Sequence, residues 1–332
     1  MESVFIMGAS GFIGEQVARS LVKDKKKVYG LARSEDTANF LKAMGVIPIM
    51  GDVYNPGNWM STLPRLDYVI NVLGFFTDGM PARFSVAHAN KCRAKYQKWM
   101  QTTLQLADTC PDIKALINVT GTTIFEDMGV AWVTEETPIR YTPSGFNRVA
   151  APATKMFQEA MENGVPMVIC VAPSVVYGDK PTSSFDEVFV KPLEKGQMGV
   201  VGNGKNYITT GHVIDVGRAI AHLTNEKYVG QIFHISDDQP VTQREFVTSI
   251  ANALGKKKVV TMPKWLVAIL GGKCAVEFMT LSQRIDNSKL KSSGFELEYP
   301  RFTEEVDKCV KRLLNRRNMD TSLTLADQTV NN

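Results

Sequence analysis

Several things are scarce in this sequence, and each scarcity closes off a class of protein. No apolar run approaches the length of a membrane span. The run after Pro263, Trp265 to Leu270, stops at Gly271-Gly272, whereas crossing a bilayer takes about 20 apolar residues in a row. Cysteine is sparse and scattered: Cys92, Cys110, Cys170, Cys274 and Cys309 form no Cys-x-x-Cys pair. That pattern excludes a disulfide framework and a thiolate zinc site, and it implies a reducing, cytoplasmic compartment. His88, His222 and His234 are isolated, so no metal site is expected. Charge of one sign is lacking too. Lys and Arg number 38 against 34 Asp and Glu, a net +4, and no basic stripe stands out, so nucleic acid is not an expected partner. Met1-Glu2-Ser3-Val4-Phe5-Ile6 runs straight into an apolar segment without a charged leader, so no signal peptide is expected. Internal repeats are absent.

What is present is a strand-helix rhythm. The chain has 332 residues, 44% of them hydrophobic, enough to bury one large core or a core with a smaller lobe. Val4–Met7, Lys27–Ala32, Val46–Met50, Tyr68–Leu73, Ala115–Val119 and Met167–Ala172 are short apolar runs that read as buried strands. Between them Phe12–Val22, Thr37–Met44, Ala87–Ala107 and Ala150–Met161 carry apolar residues at helical spacing. Alternation of this kind specifies an α/β fold, a doubly wound parallel sheet of the Rossmann type. After Pro173 the rhythm breaks. The expected division is residues 1–178 as the dinucleotide-binding domain, with 212–235 returning to it, and 179–211 with 236–317 as a smaller substrate lobe. Thr303–Arg317 reads as a helix ending in the cations Lys311, Arg312, Arg316 and Arg317, which suit a helix carboxyl end. Residues 318–332 are polar and aperiodic and read as a disordered tail.

Gly8-Ala9-Ser10-Gly11-Phe12-Ile13-Gly14 sits between the first strand and the first helix. Glycines there permit a tight turn, let a pyrophosphate approach the backbone and let helix and strand pack closely. The helix start offers free N–H groups to phosphate. Gly8, Ser10, Gly11, Phe12, Ile13 and Gly14 are therefore candidate cofactor residues. The second strand ends at Ala32-Arg33-Ser34, where an NAD site would place an acid. A guanidinium suits a 2′-phosphate, so Arg33 and Ser34 point to NADP(H) over NAD(H).

With these pieces in order, the chain resembles the extended short-chain dehydrogenases/reductases of the NAD-dependent epimerase/dehydratase group. The resemblance runs from about residue 3 to residue 315. It rests on the glycine loop, Gly51-Asp52, Asn71-Val72-Leu73-Gly74, Ala172-Pro173-Ser174-Val175-Val176-Tyr177-Gly178, His212-Val213-Ile214-Asp215 and Asn287-Ser288-Lys289-Leu290. It implies Asp52 and Val53 beside adenine, Leu73 and Gly74 at the cofactor ribose, and Pro173 near the nicotinamide. Thr120 and Val175 complete the cofactor set. His212 and Asp215 are implied to be structural, pinning a loop to a helix start. A homodimer through the helices at 87–107 and 150–161 is typical of such proteins.

The resemblance also shows where this chain departs. Relatives carry a Tyr-x-x-x-Lys helix, with the tyrosine as acid/base and the lysine lowering its pKa, and a Ser or Thr that holds the substrate oxygen. Here the lysine is Lys155, but Ala151 occupies the tyrosine position and Gly121 the Ser/Thr position. Three residues are candidates to replace the lost groups. Thr122 lies one place on, although a loop hydroxyl ordinarily bonds to nearby backbone. Tyr141 lies in a loop that could overhang the site, although loop tyrosines commonly pack. Lys155 itself could bind the nicotinamide ribose, or act as a base if desolvated. The expected function is an NAD(P)(H)-dependent oxidoreductase, epimerase or dehydratase of a small molecule, with an altered acid/base arrangement. The alternative is a non-catalytic dinucleotide-binding sensor, scaffold or assembly factor.

Overall fold

The computed structural model describes residues 1–74, 83–140 and 147–330, with side chains as far as Met319. The central sheet has seven strands: β1 (Ser3–Met7), β2 (Lys27–Ala32), β3 (Ile47–Met50), β4 (Tyr68–Asn71), β5 (Ala115–Gly121), β6 (Met167–Ala172) and β7 (Gln231–His234). Every pairing is parallel, in the order β7-β6-β5-β4-β1-β2-β3. The apolar runs are continuous because both faces of the sheet are covered. In β1, Val4 and Ile6 enter one core while Phe5 and Met7 enter the other, all four fully buried. That alternation is the strand's period of two.

The helices divide accordingly. In chain order they are α1 (Phe12–Lys23), α2 (Glu35–Ala43), α3 (Val86–Thr109), α4 (Asn147–Glu162) and α5 (Val213–Leu223). Buried residues of α1, α2 and α5 line the first core, and those of α3 and α4 line the second. Serines start two of them. Ser34 Oγ accepts from the Thr37 N–H at 3.2 Å, and Ser85 Oγ accepts from the His88 N–H at 3.2 Å, which satisfies N–H groups that a helix start leaves open.

A third core gathers Tyr177, Phe185, Phe189, Phe246 and Phe302. Around it lie α6 (Gln243–Ala253), α7 (Lys264–Leu270), α8 (Lys273–Thr280) and α9 (Phe302–Val330), with short strand pairs such as Val200–Val201 beside Thr261–Met262. The backbone of α9 is helical to Val330, so the helix expected over Thr303–Arg317 extends past Arg317. Neither glycine nor proline follows Arg317 within that span, so no stop signal ends the helix. The basic cluster is consequently not at a helix end. Its cations are spent on acids instead, Arg312 on Asp179 at 3.0 Å and Arg317 on Glu194 at 2.8 Å and on fully buried Asp186.

Where β7 leaves the sheet, Asp237 is almost wholly buried. Thr210 Oγ1 donates to its Oδ2 at 2.8 Å, and its Oδ1 has no partner. Burial, the dominant cause, pushes this carboxyl up from 3.8 to about 7. A folded-state pKa above the unfolded one means the neutral acid is what the fold accommodates. Its contribution is complete below about pH 4 and is lost as pH rises through about 7. The stability of the protein relative to Asp237→Asn should therefore fall from pH 5 to pH 8 by on the order of 3 kcal/mol. Urea denaturation of both at the two pH values measures this, and parallel pH profiles would refute it.

Candidate functional site

The strand order reverses between β1 and β4: the chain runs outward through β2 and β3, then crosses to β4. Open α/β sheets form their ligand crevice at the carboxyl ends of the strands at such a reversal. The glycine loop and the Val72–Gly74 segment flank that point. Gly8 has φ +94°, and a Cβ on it would lie 3.1 Å from the Val72 carbonyl oxygen. The Gly11 N–H donates to the Gly8 carbonyl at 2.9 Å. A Cβ on Gly14 would lie 1.9 Å from that same oxygen, which is steric overlap. Helix α1 begins at Gly11 with no side-chain cap, so its first-turn N–H groups at Phe12 and Ile13 have no acceptor from a capping side chain. Ser10 is partly exposed beside them. An uncapped helix start with a backbone cradle that excludes side chains fits a dinucleotide pyrophosphate.

At the end of β2, Arg33 is exposed and has no hydrogen bond or ion pair among the described residues. Ser34 caps α2, as above. The Asp52-Val53 turn is locked from several sides. Asp52 Oδ1 accepts from the Tyr54 N–H at 2.8 Å, its carbonyl from Trp59 Nε1 at 2.8 Å, and the Val53 carbonyl from Thr102 Oγ1 at 2.9 Å. Asn71 joins β4 to β5 by donating to Asn118 Oδ1 at 2.8 Å and accepting from the Leu73 N–H at 3.3 Å. Among the described residues, nothing stands within 4 Å of where a Cβ on Gly74 would lie.

At the end of β5, Thr120 Oγ1 lies 3.0 Å from Thr154 Oγ1 and is also bonded by the buried Tyr96 hydroxyl, whose pKa burial pushes up to about 12. Thr122 is fully buried with no partner for its hydroxyl, contrary to the expected backbone bond. Its carbonyl instead accepts from Gln283 Nε2 at 2.8 Å, and the same amide reaches the Phe125 carbonyl at 3.3 Å. Gln283 thus clamps the turn that carries Thr122, from 161 residues away.

Lys155 stands on α4, about half exposed, 3.6 Å from Glu159 one turn on. Its neighbour Thr154 carries the Thr120 contact, which sets α4 against β5. Ala151 is fully buried, and Pro152 follows it inside the helix. Tyr141 lies outside the described residues. Pro173 is buried against Gly211, where a Cβ would come within 2.7 Å of Pro173 Cγ. The Val175 N–H donates to the Thr209 carbonyl at 3.0 Å and its side chain lies in the third core. Strand pairing with Thr210–His212 turns it inward.

One residue escaped the sequence reading. Arg148, in the first turn of α4 and three residues before Ala151, is partly buried. Its Nε has no partner, and Nη1 makes only a 3.5 Å contact with Asn90. Its spacing from Ala151 places it on the same side of the helix, which is the signal that could have found it. Nearby charges are otherwise neutralised. Burial disfavours the Glu15 carboxylate, but Lys180 at 2.7 Å and Arg19 at 2.9 Å hold its pKa below the usual value. His212 is driven down to about 4 by burial and caps α5 by accepting from the Ile214 N–H at 3.3 Å. Asp215 accepts from the N–H groups of Glu298 and Tyr299 at 3.0 and 2.7 Å, pinning that loop to the start of α5.

The profile of the NAD dependent epimerase/dehydratase family matches residues 4–236. The sterol-4-alpha-carboxylate 3-dehydrogenase of Dictyostelium discoideum is 25% identical over 261 residues, covering 75% of this chain and 75% of that protein. The 2-alkyl-3-oxoalkanoate reductase of Shewanella oneidensis is 23% identical, covering 84% and 73%. Among solved structures, the human epimerase family protein SDR39U1 with NADPH superimposes with TM-score 0.74 at 17% identity, covering 93% and 99%. The dTDP-glucose 4,6-dehydratase of Bacillus anthracis with NAD gives 0.74 at 18%, covering 96% and 98%.

The overlap at Gly14 makes a direct prediction. Gly14→Ala should lose about 2 to 3 kcal/mol of stability, whereas Gly57→Ala, whose Cβ would meet nothing within 4 Å, should change it by less than about 1 kcal/mol. Equal urea midpoints for the two variants would show that the Gly8–Gly14 contact is not tight.

Proposed function

The chain belongs to the NAD dependent epimerase/dehydratase family, and on that footing we propose that it is an NADP(H)-dependent oxidoreductase working without the usual tyrosine. The observation that carries this reading is the pairing of a cradle closed to side chains at Gly8 and Gly14 with an unpaired Arg33 at the end of β2. Bound there, the nicotinamide would supply or accept a hydride. Gly8, Ser10, Gly11, Phe12, Ile13 and Gly14 hold the pyrophosphate through backbone donors. Arg33 answers the 2′-phosphate with charge-assisted hydrogen bonds, with Ser34 beside it. The locked Asp52-Val53 turn borders adenine. Leu73, Gly74 and Thr120 border the ribose, and Pro173 closes the nicotinamide end.

The polar steps fall to Thr122 and Lys155. Ala151 has no proton to give. A buried hydroxyl without a partner is costly in a folded protein, and Thr122 answers that cost by holding a substrate oxygen in place of the residue lost at Gly121. Lys155 binds the ribose through its ammonium group. Both relatives named above act, by name, at a 3-position, one as a dehydrogenase and one as a reductase of an oxo group. An oxo or hydroxyl carbon of a small molecule is the substrate class we carry over. Residues 179–211 and 236–317 form the substrate lobe in this reading. Five scattered thiols suit a cytoplasmic setting, and α3 with α4 offers the surface for a homodimer. The second reading, a dinucleotide-binding sensor or scaffold, is favoured by the buried Ala151.

Two measurements test this. Titration calorimetry should find NADPH bound more tightly than NADH. Arg33→Asp should weaken NADPH roughly 30- to 100-fold and NADH less than about threefold, the loss of a charge-assisted pair. Equal loss for both cofactors would remove Arg33 from the 2′-phosphate, and no binding of either would favour a scaffold. In a turnover assay on 3-oxo substrates with NADPH, Lys155→Ala should lower kcat/KM by about 100-fold, with the melting temperature unchanged. Full activity in that variant would refute the role of Lys155.

A further inference from the structure

We propose that the outer face of α7 docks on an anionic lipid surface, an inference that goes beyond the cofactor reading and does not depend on it. None of the seven residues of α7, Lys-Trp-Leu-Val-Ala-Ile-Leu, is buried. Trp265 is 65% exposed, Ile269 61% and Leu270 59%, and Val260 just upstream is 60% exposed. Single exposed apolar residues are ordinary, but large ones grouped on one short element mark a contact surface. Trp265 and Ile269 stand one turn apart and share a side.

The helix is held firmly from behind. The Phe84 N–H donates to the Gly271 carbonyl at 2.7 Å, and a Cβ on Gly272 (φ +92°) would come within 2.5 Å of the Phe84 carbonyl oxygen. Val267 packs on the third core. The apolar face is therefore displayed on a fixed support, beside the segment that leads into α3 at the carboxyl end of the sheet.

Charge selects the occupant. From Gly255 to Val276 the sequence holds Lys256, Lys257, Lys258, Lys264 and Lys273 and no acid, so this strip alone carries more positive charge than the chain's net +4. All but the partly buried Lys256 are exposed, and among the described residues only Lys273 has an acid within 4 Å, Glu277 at 3.9 Å. A second copy docking about a two-fold axis would set lysines against lysines. Anionic headgroups meet the same lysines favourably, while tryptophan and aliphatic side chains enter the headgroup boundary. No helix among the described residues is long and apolar enough to cross a membrane, so the geometry is that of a helix lying in the interface.

Co-sedimentation of the full chain with vesicles tests this. Vesicles of phosphatidylcholine with phosphatidylserine should bind at least about tenfold more protein than phosphatidylcholine alone, and raised salt should reverse the binding. Lys256→Ser/Lys257→Ser/Lys258→Ser should weaken binding about a hundredfold. Trp265→Ser/Ile269→Ser should abolish it while keeping a cooperative melt. In a Trp132→Phe background, where the remaining tryptophans Trp59 and Trp99 are buried, emission should shift to the blue on binding. No preference for anionic vesicles overturns the proposal. So does binding indifferent to these substitutions, or a dimer that Trp265→Ser/Ile269→Ser dissolves without any vesicle binding.

Discussion

At the turn out of β1, backbone segments share a space that one methyl group would fill. The Gly8 carbonyl oxygen receives the Gly11 N–H and lies where a Cβ of residue 14 would stand, and Gly8 itself backs onto Val72. Because nothing projects from residues 8 and 14, α1 can start within reach of the β1 and β4 ends. That approach sets the crevice. A side chain at either place would lift the helix away from the sheet, and with it the N–H groups at Phe12 and Ile13. The remaining features of the candidate site, from Arg33 at one end to Thr122 at the other, take their meaning from that close approach.

The segments around the third core are joined to the sheet by polar contacts. Glu15 on α1 is met by Lys180 from the segment after Gly178. Asp215 at the start of α5 holds the Glu298-Tyr299 loop, and His212 caps the same helix. Tyr177 lies fully buried at the same junction. It packs edge-on against His212 and Phe302, so the ring helps secure the junction by shape. Thr122 differs in setting: a small buried hydroxyl just past the end of β5, away from the aromatic cluster of the third core.

Much of the fold was legible because the signals are local. Lys27–Ala32 and Met167–Ala172 read as strands with the bounds they have, since runs buried on both faces are continuous in sequence. The glycine loop was legible for the same reason. Thr122 was visible as a hydroxyl, but the clamp on its carbonyl comes from Gln283, far along the chain, and no local pattern reports that. The pairing of Val175 with Thr210 joins segments 35 residues apart, which no local pattern reports. Arg148 carries no local sequence signal beyond its spacing from Ala151, because its partial burial and its 3.5 Å contact with Asn90 arise from the packing of α4 on α3. The run after Arg317 lacks apolar periodicity, and α9 continues through it because a helix needs only compatible residues and the absence of a breaker.

The third core carries a consequence for how the chain is made. Its members run from Val175 to Leu313, and β7, the edge strand that covers β6, comes only at residues 231–234. During synthesis the first six strands emerge with β6 lacking its neighbour, and the lobe cannot condense until α9 follows. Exposed strand edges and incomplete cores are what make nascent chains adhere to one another. The chain thus passes through an interval in which β6, interior in the finished sheet, stands at its edge, and the length of that interval is set by where Gln231 falls in the sequence.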